Sequence, residues 1–302
     1  MALKDILVCL DPTEAGERRL RLAAAIAREH QAHLSASYIL SEAIPGVPPY
    51  EGVGIPAPTG ATEIAQGRVV AGVPLPGAPP IASPAPLSSA ELADIVEQRF
   101  RAEVQPHGIE GDWHLFGSGD SEELIALSRT MDLVVFGQAA SDYRLPTGFS
   151  PEDIVMACGR PMLLVPFAGE FGSGSVGRRV LIAWDGTREA SRALHDALPL
   201  IALAEAVWVM TVRPRDANSD DRGPSLDRVV RHLQRHSIAA TTEESIGGDI
   251  PTAELLLSRA SDMGADLLVA GAYHHSQLRE AIIGGVSRDL LDHMTVPVLM
   301  SH

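Results

Sequence analysis

The chain has 302 residues, 21% of them charged, and a formal net charge of −15. Its length allows two domains with cores of their own, while its charge sets it against nucleic acid and anionic lipid, whose phosphates are bound by clustered Lys and Arg. No run of eighteen apolar residues occurs and "MALKDILVCLD" is too short for a signal-peptide core, so no membrane span and a cytoplasmic location are predicted.

In chain order, the first half reads as strands at 6–10, 34–40, 112–116, 133–137 and 162–166, with helices at 14–30, 87–104 and 121–129. The second half reads as strands at 180–184, 207–212, 240–246, 267–271 and 296–300, with helices at 188–203, 225–236 and 252–263. Most strands are continuously apolar, as strands covered by helices on both faces must be, which predicts an α/β fold with parallel sheets and helices alternating above and below. Between the second strand and the next helix, 41–86 holds eleven of the 22 prolines and almost no charge, so it reads as an insertion. Cys9 and Cys158 lie far apart inside apolar segments and read as buried small hydrophobes.

The chain nearly repeats itself. "KDILVCLDPTEAGERRLRLAAAIA" lies over "RRVLIAWDGTREASRALHDALPLI" without a gap, "DLVVFG" over "DLLVAG", and "RPMLLVP" over "VPVLMSH". Three matched blocks in one order predict two homologous domains, 1–168 and 178–302, joined by the glycine- and serine-rich "GEFGSGSVG".

In an open parallel sheet, ligands bind beyond the carboxyl ends of the strands. Gly271 ends a predicted strand, and Gly284, Gly285, Val286 and Ser287 open the next helix, where free N–H groups and the helix dipole favour an anion. Asp185, Gly186 and Thr187, at the end of that half's first strand, would face the same crevice. Asp185 there either accepts from an adenine amino or ribose hydroxyl group or caps the helix with Thr187. Adjacent His274 and His275 do not make a metal site, because neighbouring residues rarely converge on one ion.

"VLIAWDGTREASRAL", "GADLLVAGAY" and "GGVSRDLLDHMTVPVLM" resemble the universal stress protein family, and the doubled pattern resembles its tandem members. The resemblance implies five-stranded parallel sheets in αβα sandwiches, a role under stress, and in one branch ATP binding through Gly, two residues, Gly, nine residues, Gly, then Ser or Thr. Here Gly271 and Gly284 match that pattern, His274 stands at the second glycine, and Gly285 replaces Ser or Thr. An adenine nucleotide such as ATP, with Mg2+, is therefore expected in the second half. The first half has a shorter counterpart loop, and its helix opens with Ser150, Pro151, Glu152 and Asp153. Proline removes an N–H donor and the acids repel phosphate, so no triphosphate is expected there, and Asp11 and Thr13 read as caps.

The resemblance also implies that the last strands pair antiparallel about a two-fold axis. A tandem chain satisfies that pairing internally as a pseudo-dimer, leaving another face for a homodimer or for a protein partner that the sequence does not identify. Two further readings stand beside nucleotide binding. One is a scaffold that binds no nucleotide. The other is an enzyme, at most a weak ATPase, since no Walker sequence and no activated nucleophile occur.

Overall fold

A computed structural model describes residues 2–40, 87–138, 151–169, 176–213, 225–248, 250–272 and 285–302. The proline-rich insertion at 41–86, most of the linker, Ser150, His274, His275 and Gly284 lie outside the described residues.

The first half supplies β1 (Asp5–Leu10), α1 (Glu14–His30), β2 (His33–Ile39), α2 (Ser89–Val104), β3 (Trp113–Phe116), α3 (Ser121–Ser128), β4 (Leu133–Gly137), α4 (Pro151–Cys158) and β5 (Met162–Val165). The second supplies β6 (Arg179–Ala183), α5 (Arg188–Ile201), β7 (Ala206–Arg213), α6 (Leu226–Arg235), β8 (Thr241–Ile246), α7 (Thr252–Asp262), β9 (Leu267–Gly271), α8 (Gly285–His293) and β10 (Val298–Ser301). Each predicted element is present, with ends shifted by two residues or fewer; this follows from capping. Thr13 and Thr187 accept the N–H of Gly16 and Ala190 at 3.0 and 3.1 Å, and Ser88 and Glu91 form a capping box that sets the start of α2.

All ten strands form one sheet in the order β3-β2-β1-β4-β5-β10-β9-β6-β7-β8. Within each half the pairs are parallel. At the centre, β5 and β10 pair antiparallel, Leu163 opposite Leu299, so the chain closes on itself as an internal pseudo-dimer. Both apolar terminal strands are thereby removed from solvent.

Strand residues alternate between two cores. Ile6, Val8 and Leu10 face α1 and α2, whereas Leu7 and Cys9 face α3 and α4; Val180 and Ile182 likewise oppose Leu181 in the second half. The expectation of strictly alternating helices is corrected here. Helices fall in consecutive pairs, α1, α2, α5 and α6 on one face and α3, α4, α7 and α8 on the other. A right-handed crossover chooses its face by the direction of travel along the sheet, and that direction changes only once per half, after β3 or β8. Coverage on both faces also fails at the rim: residues of β8 are mostly exposed, as its sequence TTEESI allows.

An unforeseen role belongs to the aspartates that open the repeated "DL" blocks. Asp132 Oδ2 accepts the N–H of Lys4 and Asp5 at 2.7 and 3.2 Å, and Asp266 accepts those of Gly177, Arg178 and Arg179 at 2.8–3.1 Å. Each clasps the entrance of its half's first strand, whose N–H groups would otherwise lack partners.

Candidate functional site

The two halves present the same backbone at the strand ends and fill it differently. In each, an aspartate ends the first strand and turns back onto the threonine two residues later. Asp11 Oδ1 accepts the N–H of Thr13 at 2.9 Å and its hydroxyl, and Asp185 Oδ1 accepts the N–H and hydroxyl of Thr187 at 2.9 and 2.6 Å. The helix caps themselves are Thr13 and Thr187, and each aspartate holds its capping threonine in place.

Their second oxygens diverge. Asp11 Oδ2 is paired with Arg19, which is only 5% exposed. Burial pushes the Asp11 carboxyl up, but the Arg19 charge and the Thr13 bonds together outweigh it and hold it below its ordinary value. Arg19 also occupies the end of β4: a Cβ added to Gly137 would lie 1.7 Å from Arg19 Nη1. The first half's crevice is therefore filled by a guanidinium–carboxylate pair, a feature the sequence reading missed. Its signal was available, because the ungapped repeat sets Arg19 over Ala193 on the buried face of the helix.

In the second half the buried Ala193 stands at the position of Arg19, Asp185 is exposed, and no described group engages its Oδ2. A cleft of about 510 Å³ opens beside Asp185, between α5 and α6, lined by Trp184, Asp185 and Gly186 from the end of β6, by Ser191, Leu194 and His195 from α5, and by residues of α6; neither Ala193 nor Gly271 lines it. Among the predicted site residues, Asp185 and Gly186 line this cleft and Thr187 supports it.

Gly271 has a packing role. A Cβ there would lie 2.6 Å from the Ala190 nitrogen and 2.8 Å from the Glu189 carbonyl carbon, so the bare backbone lets α5 lie close on β9. At the start of α8, Gly285 and Val286 are exposed, and the nearest atom to a Cβ on Gly285 would be Asp289 Oδ2 at 3.9 Å. Ser287 is buried and engaged within the protein. The positions of His274 and Gly284 relative to these groups lie outside the described residues.

The cleft brings together an indole, a carboxylate oxygen with no described partner and the basic groups of α5 and α6; the start of α8 does not line it. Among the described residues no group of three His, Cys, Asp or Glu side chains could hold a metal ion.

Comparison with known proteins agrees with this architecture. The universal stress protein family matches residues 177–302. Over the whole chain, the crystal structure of a universal stress protein from Archaeoglobus fulgidus DSM 4304 superposes with a TM-score of 0.65 at 14% identity, covering 98% of this chain and 96% of that one. A functionally unknown protein from Pseudomonas aeruginosa PAO1 superposes with a TM-score of 0.55 at 17% identity, covering 99% and 92%. A universal stress family protein from Burkholderia pseudomallei is 29% identical over 42% of this chain and 98% of its own, with a TM-score of 0.32. No curated protein matches the sequence. Residues 177–302 thus match the universal stress protein family, and the chain along its full length shares the fold of a universal stress protein from Archaeoglobus fulgidus.

Proposed function

We propose that the chain is a nucleotide-responsive stress protein whose second unit, 178–302, binds one adenine nucleotide such as ATP, while its first unit, 1–168, is structural. The observation that carries this reading is the contrast between the two aspartates: Asp11 is paired with the buried Arg19, whereas Asp185 is exposed and lines a cleft. In this reading Asp185 Oδ2 accepts from the adenine amino group or a ribose hydroxyl, and the amides at Gly285 and Val286 receive phosphate at the positive end of α8. Occupancy would then alter a surface read by a protein partner. In this reading binding rather than turnover is the event that matters.

The test is ATP titration of the wild-type protein and Gly285→Asp, followed by calorimetry. Aspartate at a helix start favours the helix, so the variant folds; its carboxylate, about 5 Å from bound phosphate, repels a unit anionic charge by about 3 kcal/mol. Saturable binding weakened at least tenfold in the variant supports the proposal. Binding by neither protein overturns it.

A second reading, a scaffold of the same fold without nucleotide, has its own support in Gly271. Helix packing alone requires a glycine there, so its presence says nothing of phosphate.

A further inference from the structure

The wall of the cleft formed by α6 carries basic groups that the nucleotide reading leaves unused. His195 on α5 and His232 on α6 lie 4.8 Å apart between ring centroids, and His232 and His236 also lie 4.8 Å apart. Arg228, His232 and His236 follow at four-residue spacing, so they share one face of α6. Arg228, His195 and His232 line the cleft, together with Ser225 at the start of α6, whose side chain makes no capping bond.

Two of these groups await a partner. Among the described residues no hydrogen bond or ion pair engages Arg228, and His232 Nε2 is shielded from solvent with nothing to bond. His195 Nδ1 donates to the Ser191 carbonyl at 2.7 Å, which fixes its proton there and leaves Nε2 to take a second one. Around His232 the neighbouring charges are His195 from α5, Arg228, Arg235 and His236 from its own helix, and Asp185 from the end of β6. Asp196 of α5 is already held by Arg192 at 3.2 Å. Burial, then His195, His236 and Arg235, keep the His232 ring below its ordinary value of 6.5 and therefore neutral in the empty cleft.

In a protein of net charge −15, this cleft gathers one arginine and two histidines beside a single acid, Asp185, whose Oδ1 is already taken by Thr187. We propose that the cleft between α5 and α6 is an oxyanion site that takes up a proton with its ligand, His232 charging as a phosphate- or sulfate-like group meets Arg228. The sign is fixed by linkage. An anion raises the His232 value above that of the empty protein, so affinity rises as pH falls through the interval between the bound and the empty values, and is flat on either side.

Sulfate is a suitable probe because it does not titrate near neutrality. Histidine ring protons of the full-length protein are followed by NMR from pH 5 to 8 in chloride and in sulfate at equal ionic strength, and sulfate affinity is measured at pH 5.5 and 7.5. The proposal predicts that His232 titrates about one pH unit higher in sulfate and that sulfate binds about fivefold tighter at pH 5.5. It also predicts at least a threefold loss of affinity in Arg228→Gln, an exposed substitution that the fold tolerates. Histidine titrations identical in chloride and sulfate, or an affinity indifferent to Arg228, would overturn it. Displacement of sulfate by ATP assigns the oxyanion to a nucleotide phosphate, and joint binding assigns it to a free anion; both keep the site. Because the nucleotide proposal is judged by the response of ATP binding to Gly285→Asp, the two can fail separately.

Discussion

Arg19 separates the two halves more sharply than any glycine does. Its guanidinium closes the first half's strand ends and holds Asp11 as a carboxylate, so Arg19→Ala strands a charge that is largely withdrawn from water. We expect a loss of about 2–3 kcal/mol, visible in urea unfolding. The pH dependence follows in sign. Because the Asp11 carboxyl is lower in the folded than in the unfolded chain, its stabilisation is complete above the ordinary value of 3.8 and disappears as pH falls through the depressed one. Wild type should therefore lose more stability than Asp11→Asn below pH 4, and equal acid profiles would refute the pairing. Thiol chemistry gives a second check at this scale: burial raises Cys9 to about 12 and Cys158 also upward, so neither should react with an aromatic disulfide at pH 8 until the protein is unfolded.

Among the elements, the contact of β9 with α5 is the tightest seen at the candidate site. Gly271→Ala would force its new methyl group to within 2.6 Å of backbone, which shifts α5 or strains β9 and should cost about 1–3 kcal/mol in thermal unfolding. Periodicity made the elements legible: continuous apolar runs marked most strands, and Thr13 and Thr187 stand immediately before the helices expected at 14 and 188. The site was harder to read. Asp185 and Gly186 could be placed in the cleft because a strand end is a sequence signal, but Trp184, Ser191 and Arg228 meet only through the packing of α5 beside α6. Spacing did carry one part of it, since Arg228, His232 and His236 recur every fourth residue on a helix whose apolar face is spoken for by Leu226, Val229 and Leu233.

Across the whole molecule, the antiparallel join of β5 with β10 makes one sheet, and each of the two cores draws side chains from both halves. The pairing was foreseeable because two apolar strands at domain ends must find partners; the pairing of helices by face was not, because it depends on strand order rather than on local pattern. Cores that continue through the join predict a single unfolding transition, with calorimetric and van't Hoff enthalpies in agreement. Two separated transitions would show that the halves are energetically independent. The central functional claim concerns asymmetry: Asp11 is held by the buried Arg19, while Asp185 is exposed beside a cleft. Its most direct test is the stoichiometry of ATP binding to the full chain by calorimetry. The account predicts one nucleotide per chain; two per chain, or none, would contradict it.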